Sequence, residues 1–175
     1  MLTDLVQIKL LGEKKRPENE RFRKHMKSFD HSDRILRRIA EGIEDSIDCL
    51  QCANCCRVAT AKVTERDVER LAKYLHVKPA RVMADYVVNS AEEGLILRRD
   101  AKTGCVFLSG NECTVYDARP EGCQKFPHVV RGNGSILSRM WELIDRACYC
   151  PIVYNSLEAF KDEMEIGRAS CRERV

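Results

Sequence analysis

The sequence predicts a small, helix-rich α+β domain in which short β-hairpins are organised around a multi-cysteine centre. Near both ends of the chain, apolar residues recur every three or four positions, which is typical of helices that bury one face. Between these regions, short apolar segments alternate with turns rich in glycine and polar residues, as in hairpins. Ten cysteines in 175 residues, four of them within eight positions, indicate that a metal supports the core.

The first 47 residues are predicted to form a basic helical segment ahead of the cysteine domain. We interpret residues 1–17 as a short helix or a loose lead-in that ends in a charged turn at Gly12–Pro17. From Asn19 to Ile47, an apolar stripe has helical spacing, and a break into two helices is expected near residues 31–33.

Two helices are expected after the densest group of cysteines. Thr64 is predicted to cap the first, with Asp67 three residues on and with Val63 and Val68 at the staple positions around the cap. Pro79 fits the first turn of the second helix. The inner side of that helix is predicted to carry Val82, Met83, Tyr86 and Val87.

Short strands are predicted in the middle of the chain. Leu95–Arg98 and Cys105–Leu108 are expected to pair across a polar turn at Asp100–Gly104. A second turn, Ser109–Glu112, leads to the segment that begins at Cys113. The hairpins therefore carry cysteines.

The remainder is predicted to be mostly helical. Arg119-Pro120 is expected to begin a helical turn that contains Cys123, and residues 131–134 to form a hairpin-like turn. Gly122, like Gly104, directly precedes a cysteine, where a small residue lets the backbone approach closely. Two further helices are predicted over Trp141–Ala147 and Tyr154–Met164.

The last eleven residues are expected to be non-native. Glu165–Val175 does not continue the preceding pattern, and one back-translation of the peptide matches the adapter of a common sequencing library. We interpret residues 165–175 as adapter read-through and exclude Cys171 from the candidate ligands. The cysteine domain is accordingly predicted to span residues 48–164.

Composition and charge argue against a membrane protein. No apolar run reaches the ~20 residues that a membrane helix needs, and the N-terminus lacks the pattern of a signal peptide. The formal net charge is +3, and residues 1–40 contain eleven Lys and Arg against six Asp and Glu. This basic arm has no aromatic platform, so we interpret it as the solvated side of a helix and do not expect nucleic-acid binding. A cytoplasmic location is expected, where clustered cysteines are more often ligands than disulfides.

The spacing of the first four cysteines indicates metal chemistry. Cys49, Cys52 and Cys55 follow one another at intervals of three, so that a tight turn can aim their thiolates at one point. Cys56 follows Cys55 directly and is therefore expected to project elsewhere, toward a second centre or another role. Nine cysteines within 102 residues of a cytosolic chain are more than buried free thiols explain.

Four blocks of sequence resemble one known family in their order and spacing. The run from Cys49 to Cys56, the Cys105 block, the block from Cys113 to Pro120 and the Cys123 block are similar to the YkgJ-type CxxCxxCC cysteine-cluster proteins. That family is described as a zinc- or iron-chelating domain. The resemblance covers roughly residues 48–151, and Cys150-Pro151 resembles its closing Cys-Pro step. It implies metal ligation by Cys49, Cys52, Cys55, Cys56, Cys105, Cys113, Cys123 and Cys150, with Cys148 as an alternate.

The identity of the metal stays open between two interpretations. Three closely spaced cysteines plus a remote Cys-Pro are typical of ferredoxin-type clusters, which favours a [4Fe–4S] iron–sulfur cluster on Cys49, Cys52, Cys55 and Cys150. Eight thiolates also divide evenly into two tetrahedral zinc sites. In the zinc interpretation the second set would be Cys56, Cys105, Cys113 and Cys123; a single four-iron cluster without a second centre also stays open, and Cys148 would be the surplus cysteine.

Three hypotheses for function follow. The first is a cytosolic module that binds a metal ion or cluster in electron transfer, metal handling or support of an unidentified protein partner. The second is an enzyme that uses the centre to modify a protein or small molecule, with catalytic residues unknown. The third is a nucleic-acid-associated zinc protein that uses the basic arm.

Overall fold

Helices dominate the structure, which the computed structural model describes for residues 1–26, 32–131 and 134–172. The α-helices, in chain order, are α1 (Leu5–Met26), α2 (Ser32–Glu44), α3 (Cys49–Cys52), α4 (Asn54–Val58), α5 (Glu65–Tyr74), α6 (Pro79–Tyr86), α7 (Glu121–Lys125), α8 (Met140–Arg146) and α9 (Pro151–Arg172). Two 3₁₀ turns span Tyr116–Ala118 and Leu137–Arg139. In the described ranges, no helix combines the length and the apolar character needed to cross a membrane.

The strands are short and pair as antiparallel neighbours along the chain. They are β1 (Val87–Ser90), β2 (Gly94–Leu97), β3 (Arg99–Asp100), β4 (Gly104–Cys105), β5 (Leu108–Ser109) and β6 (Glu112–Cys113). β1 pairs with β2, β3 with β4 and β5 with β6. The prediction of a helix-rich α+β chain with short hairpins is confirmed.

Contacts along the chain divide it into two units. The helical unit comprises Met1–Asp48 and Pro127–Val175, and the cysteine unit comprises Cys49–Phe126. Residues 127–164, which we assigned to the cysteine domain, thus pack with the N-terminal segment. The predicted cysteine domain, residues 48–164, stays a prediction, and it differs from the division into these two units.

In the helical unit, α1 is continuous through the region where a turn was predicted. Both Gly12 and Pro17 lie inside the helix, so the predicted turn is wrong. A proline inside a helix costs about 3 kcal/mol, and packing on both sides of it offsets that cost here. Ile8 is fully buried before it, and the Phe22 ring meets the Phe160 ring after it at a centroid distance of 5.4 Å.

The other helices of this unit follow the sequence pattern more closely. The predicted break near residues 31–33 agrees with the start of α2, and the residues just before Ser32 lie outside the described ranges. α8 and α9 confirm the two C-terminal helices, and α9 runs longer than the predicted Tyr154–Met164. The predicted turn at 131–134 lies partly outside the described residues.

The basic arm carries charges that are paired within its own unit. Lys15 forms an ion pair with Glu158, and Arg16 forms ion pairs with Asp145 and Glu13. Both side chains stay about a third exposed in these pairs, so the interpretation of the arm as the solvated side of a helix stays a prediction.

The cysteine unit is built on one hydrophobic cluster. Its buried members are Val63, Val68, Leu71, Ala72, Val82, Val87, Leu97, Phe107, Val115 and Ala118. The Tyr86 and Phe107 rings pack together with centroids 4.8 Å apart. Cys105 and Cys113 are partly buried and pack against this cluster, so the apolar core contacts two of the candidate ligands.

Local signals in this unit were accurate, whereas one strand was missed. Thr64 caps α5 in a capping box with Asp67, as predicted, and Pro79 occupies the first turn of α6. Met83 is exposed, however, and Val87 opens β1 and does not continue the helix. β2 therefore pairs with β1, and the turn at 100–104 joins the two-residue strands β3 and β4. The β-branched pair at residues 87–88 favours a strand once the helix has ended.

Candidate metal centre

The CxxCxxCC motif folds as two helical turns joined at a single residue. α3 carries Cys49 and Cys52, and α4 carries Cys55 and Cys56. Ala53 between them has φ 45° and ψ 15°, the left-handed region that a non-glycine residue adopts only where its surroundings hold it. Ala53 is buried. The backbone reversal at Ala53 places the first two cysteines and the last two on separate turns.

The turn between β5 and β6 is tied to this motif by hydrogen bonds. Arg57 donates from Nη1 to the Cys52 carbonyl oxygen at 2.9 Å, and from Nη2 to the Gly110 carbonyl oxygen at 3.0 Å. Arg57 also donates to the side-chain oxygen of Asn111, whose Nδ2 donates to the Gln51 carbonyl oxygen at 2.9 Å. These bonds fix the β5–β6 hairpin, and with it Cys113 on β6, against the motif.

A second contact, between β4 and α4, requires glycine. A Cβ on Gly104 would lie 2.7 Å from the Cys56 carbonyl oxygen and 2.8 Å from the Arg57 Cα, and Gly104 has φ +84°. Arg99 on β3 donates to the carbonyl oxygens of the last two residues of α4, both at 2.7 Å. Cys105, the residue after Gly104, is thereby held next to the turn that carries Cys56.

The two glycines singled out by the sequence differ in this respect. Gly104 lies close to the backbone of α4, whereas a Cβ on Gly122 would meet nothing within 4 Å. The expectation that both glycines let the backbone approach a bound cluster stays a prediction.

Four cysteines from separate segments influence one another in the cysteine unit. Burial raises the pKa of Cys105, Cys113 and Cys123, the last to about 12. The negative charge of the Cys56 thiolate raises the pKa of all three further. The charges of Cys105 and Cys113 also raise the pKa of Cys123. These four are the residues that the sequence grouped as a second set; they lie close enough for the charge of Cys56 to affect the other three, and their grouping as ligands stays a prediction.

Backbone N–H groups are directed at two of these sulfurs. Cys105 accepts a hydrogen bond from the Phe107 N–H, and Cys113 accepts one from the Val115 N–H. Both donors belong to residues whose side chains are buried in the hydrophobic cluster. Hydrogen bonds to sulfur favour the thiolate and tune a metal where one is bound, so the core both positions these two candidate ligands and favours their thiolate form.

Cys56 differs from its three neighbours. A hydrogen bond with the Cys55 thiol lowers the pKa of Cys56 to about 7 against the effect of burial, and the positive charges of Arg57 and Arg119 add to the lowering. We expected the side chains of adjacent cysteines to diverge, as neighbours on a helix do. The two thiols are instead in hydrogen-bond contact, which places Cys55 beside the group of four.

Arg119 supplies a positive charge to the same region. It lowers the pKa of Cys56, Cys113 and Cys123 electrostatically. Its guanidinium lies 3.7 Å from the centroid of the Tyr116 ring, which fixes its direction. The charge of a thiolate group at this position is thus partly compensated by the protein.

The two remaining candidates belong to the helical unit. Cys148 is buried, and its sulfur accepts a hydrogen bond from Arg16 Nη2 at 3.3 Å. Burial raises the pKa of this thiol to about 11. Gly12 packs on the same segment, where a Cβ would lie 2.7 Å from the Cys148 Cα. Cys150 is buried directly before Pro151, the first residue of α9.

The donor set fits a soft metal ion in its chemistry. Buried thiols that raise one another's pKa are unfavourable as thiolates until a cation joins them, and a bound metal reverses that effect. The nine cysteines whose side chains are described form no disulfide. Across the described residues, no three Cys, His, Asp or Glu side chains already stand in an arrangement that could hold a metal ion.

Sequence reasoning missed the residues that assemble this centre. Arg57, Arg99 and Asn111 hold the motif to the hairpins, yet none is a metal ligand by type. The signal available was the position of Arg57, directly after the two adjacent cysteines, but nothing in the spacing reveals its partners in β5 and β6.

Comparison with protein families agrees with this site. The family model described as "CxxCxxCC: Putative zinc- or iron-chelating domain" matches residues 48–151, which is more than half of the chain. No solved structure matches the chain. This chain belongs to the CxxCxxCC family.

Proposed function

We propose that this protein binds a metal through cysteine thiolates, and that Cys56, Cys105, Cys113 and Cys123 form one centre. The observation that carries the proposal is the packing of two hairpins on the cysteine motif: Gly104 of β4 lies against the Cys56 backbone, and Arg57 ties the β5–β6 turn to the motif. The effect of Cys56 on the pKa of Cys105, Cys113 and Cys123 agrees with this packing. Thiolates are the ligands that zinc and iron–sulfur clusters prefer. The family description, zinc or iron chelation, points to the same chemistry.

The chain's own residues prepare the centre in three ways. Backbone N–H groups stabilise the sulfurs of Cys105 and Cys113, and Arg57 and Arg119 offset negative charge. The hydrophobic cluster beneath keeps water from one side, which strengthens these interactions. When bound, zinc would supply structural crosslinking, and an iron–sulfur cluster would in addition supply one-electron chemistry. The thiol protons leave when metal binds, so affinity rises with pH.

Of the two metals, we propose iron in an iron–sulfur cluster first. The spacing of Cys49, Cys52 and Cys55 is that of a ferredoxin-type set, and the hydrogen bond between Cys55 and Cys56 supports a position for that set next to the group of four. Cys150 lies in the helical unit, so its part in the set with Cys49, Cys52 and Cys55 stays a prediction. The thiolate proposal also implies a reducing compartment, such as the cytosol, because disulfides would remove the ligands.

The nucleic-acid hypothesis is weakened by the ion pairs of α1. Glu158 and Asp145 partly offset the charges of Lys15 and Arg16, whose side chains stay about a third exposed. We therefore propose a metal-binding module as the function. Identifying the bound metal is the first step toward its physiological role.

Metal counting on variants of the full chain tests the proposal. Anaerobically purified wild-type protein and the Cys113→Ala, Cys49→Ala and Cys148→Ala variants are analysed for zinc and iron and by visible absorption. Thiolate-to-iron charge transfer absorbs near ~400 nm, and zinc has no such band. We expect Cys113→Ala to lose part of the metal while the spectrum of the other centre survives, and Cys148→Ala to match the wild type.

Two outcomes would contradict the proposal. Full metal content and an unchanged melting temperature in Cys113→Ala would remove Cys113 from the ligands. All-or-none metal content in both Cys113→Ala and Cys49→Ala would rule out two separate sets and leave a single centre.

A further inference from the structure

Asp67 on α5 is the most enclosed carboxylate of the cysteine unit and has a role beyond its own helix. It is 2% exposed and accepts hydrogen bonds from the Thr64 N–H at 2.9 Å and the Thr64 hydroxyl at 2.8 Å. The bond from the Thr64 N–H to Oδ2 and the bond from the Asp67 N–H to the Thr64 hydroxyl oxygen, at 3.2 Å, together form the capping box of α5. The other oxygen, Oδ1, is left for partners elsewhere in the chain.

Oδ1 caps a second helix from outside. It accepts the backbone N–H of Glu121, the first residue of α7, at 3.0 Å. α7 follows Pro120, whose side chain makes no capping hydrogen bond. Helices begin with N–H groups that lack partners in the helix, so a carboxylate supplied by α5 takes the place of a missing local cap. Cys123 lies in this first turn, two residues after the capped N–H.

Arg70 extends the same connection to the segment before α7. It forms an ion pair with Asp67 on α5 and donates from Nη2 to the Arg119 carbonyl oxygen at 2.8 Å. The backbone just ahead of Cys123 is thus held at two points, by Oδ1 and by the Arg70 guanidinium. Burial raises the pKa of Asp67, but its hydrogen bonds from Thr64, Glu121 and Arg70 outweigh this effect, so the pKa is lowered and the carboxylate stays charged.

We propose that Asp67, with Arg70, is a positioning residue for Cys123 in the metal centre. The inference rests on the proposed function of Cys123 as a ligand, and it assigns that ligand's placement to a carboxylate that is not itself a ligand. The α7 turn is five residues long and has no side-chain cap of its own. Without Asp67, its N-terminus would lose the bond that sets the direction of Cys123 toward the other thiols.

The test compares two substitutions that both damage the capping box of α5. Asp67→Asn keeps the size of the side chain but provides one acceptor oxygen for two backbone N–H groups. Thr64→Ala removes the hydroxyl and leaves the Asp67 bonds to Glu121 and Arg70 intact. Zn²⁺ is the probe, with affinity measured by chelator competition on the full chain. Alkylation followed by mass spectrometry reports the protection of each cysteine in the Zn²⁺-loaded protein.

We expect Asp67→Asn to lower Zn²⁺ affinity about tenfold, as loss of an outer residue that orients a ligand does, and to expose Cys123 to alkylation. Thr64→Ala should stay within about twofold of the wild type in both measurements, although both variants melt at lower temperature. A purely structural role predicts equal effects of the two substitutions.

Equal effects on affinity and on Cys123 protection overturn the inference while wild-type Zn²⁺ binding upholds the proposed function. If Asp67→Asn is insoluble, Arg70→Gln decides in its place, and unchanged Cys123 protection in that variant overturns the inference too. Failure of the wild type to bind Zn²⁺, together with the absence of stoichiometric iron in the anaerobically purified chain, would refute the proposed function and the inference with it.

Discussion

The Gly104→Ala substitution would place a methyl group where β4 meets the backbone of α4. The added Cβ would lie 2.7 Å from the carbonyl oxygen of Cys56 and 2.8 Å from the Cα of Arg57. Both are backbone atoms and cannot turn aside as the end of a flexible side chain could. Alanine must also adopt φ +84° at this position, a region that L-residues rarely enter. We expect β4 to move away from α4 and to carry Cys105 away from Cys56.

Two contributions set the size of the effect. The left-handed backbone costs alanine about 1–2 kcal/mol. Overpacking against a tightly fitted neighbour typically costs a further ~1–3 kcal/mol. The free energy of unfolding should therefore fall by about 2–5 kcal/mol, which is a large part of the ~5–15 kcal/mol that stabilises an ordinary domain.

Gly110→Ala is the matched control. Gly110 also has a positive φ, +61°, but a Cβ there would meet nothing within 4 Å. It should show only the backbone contribution of about 1–2 kcal/mol. Urea unfolding of the metal-loaded proteins gives the stability difference, and chelator competition gives the metal affinity. The reasoning is refuted if both variants lose the same stability and Gly104→Ala keeps wild-type metal affinity.

Three further predictions concern other contacts of the two units. Arg57→Gln should lower the free energy of unfolding by about 1–3 kcal/mol, because it breaks the hydrogen bonds that join the motif to the β5–β6 turn. The control is Arg81→Gln, which loses only an ion pair within α6. In the same urea titration it should change the free energy of unfolding by less than ~0.5 kcal/mol. Equal losses would show that the Arg57 bonds do not hold the motif. The pKa of Asp67 is lowered in the folded state. The stability that this carboxylate contributes is therefore present above the ordinary aspartate pKa near ~4 and is lost as the pH falls through the folded pKa. The free energy of unfolding should fall less steeply toward acid pH in Asp67→Asn than in the wild type, and parallel curves would refute this. Cys148→Ser should lower the melting temperature of the helical unit, where the thiol meets Arg16, without changing metal content, and lost metal would return Cys148 to the ligands.

Sequence reasoning was accurate where the signal is local. The cap at Thr64, the first-turn Pro79 and the turns at 100–104 and 109–112 each depend on a few neighbouring residues, and the structure has them in place. The cysteine spacing likewise identified the family, because ligand spacing is a property of the chain itself.

The features that sequence could not predict depend on contacts between distant residues. α1 passes through Pro17 because Ile8 and Phe22 pack on other helices of its unit, which the local pattern does not reveal. The sequence predicted that Leu95–Arg98 pairs with Cys105–Leu108, whereas β2 pairs with β1 in the structure. The strand β1 exists because α6 ends at Tyr86, an end that the local pattern did not reveal. The positions of Arg57, Arg99 and Asp67 at the centre follow from side chains that reach across 40 to 55 positions of the chain.

X-ray absorption at the metal edge, combined with metal counting on the anaerobically purified full chain, tests the central claim most directly. A stoichiometric metal with a shell of sulfur atoms near ~2.3 Å, the length expected for zinc–thiolate and similar bonds, is the result that the structure predicts. Cys123→Ser should reduce the sulfur count or empty one centre, and Cys148→Ser should leave the shell unchanged. A shell made mainly of nitrogen and oxygen, or a chain that retains no stoichiometric zinc or iron, would contradict a thiolate metal centre.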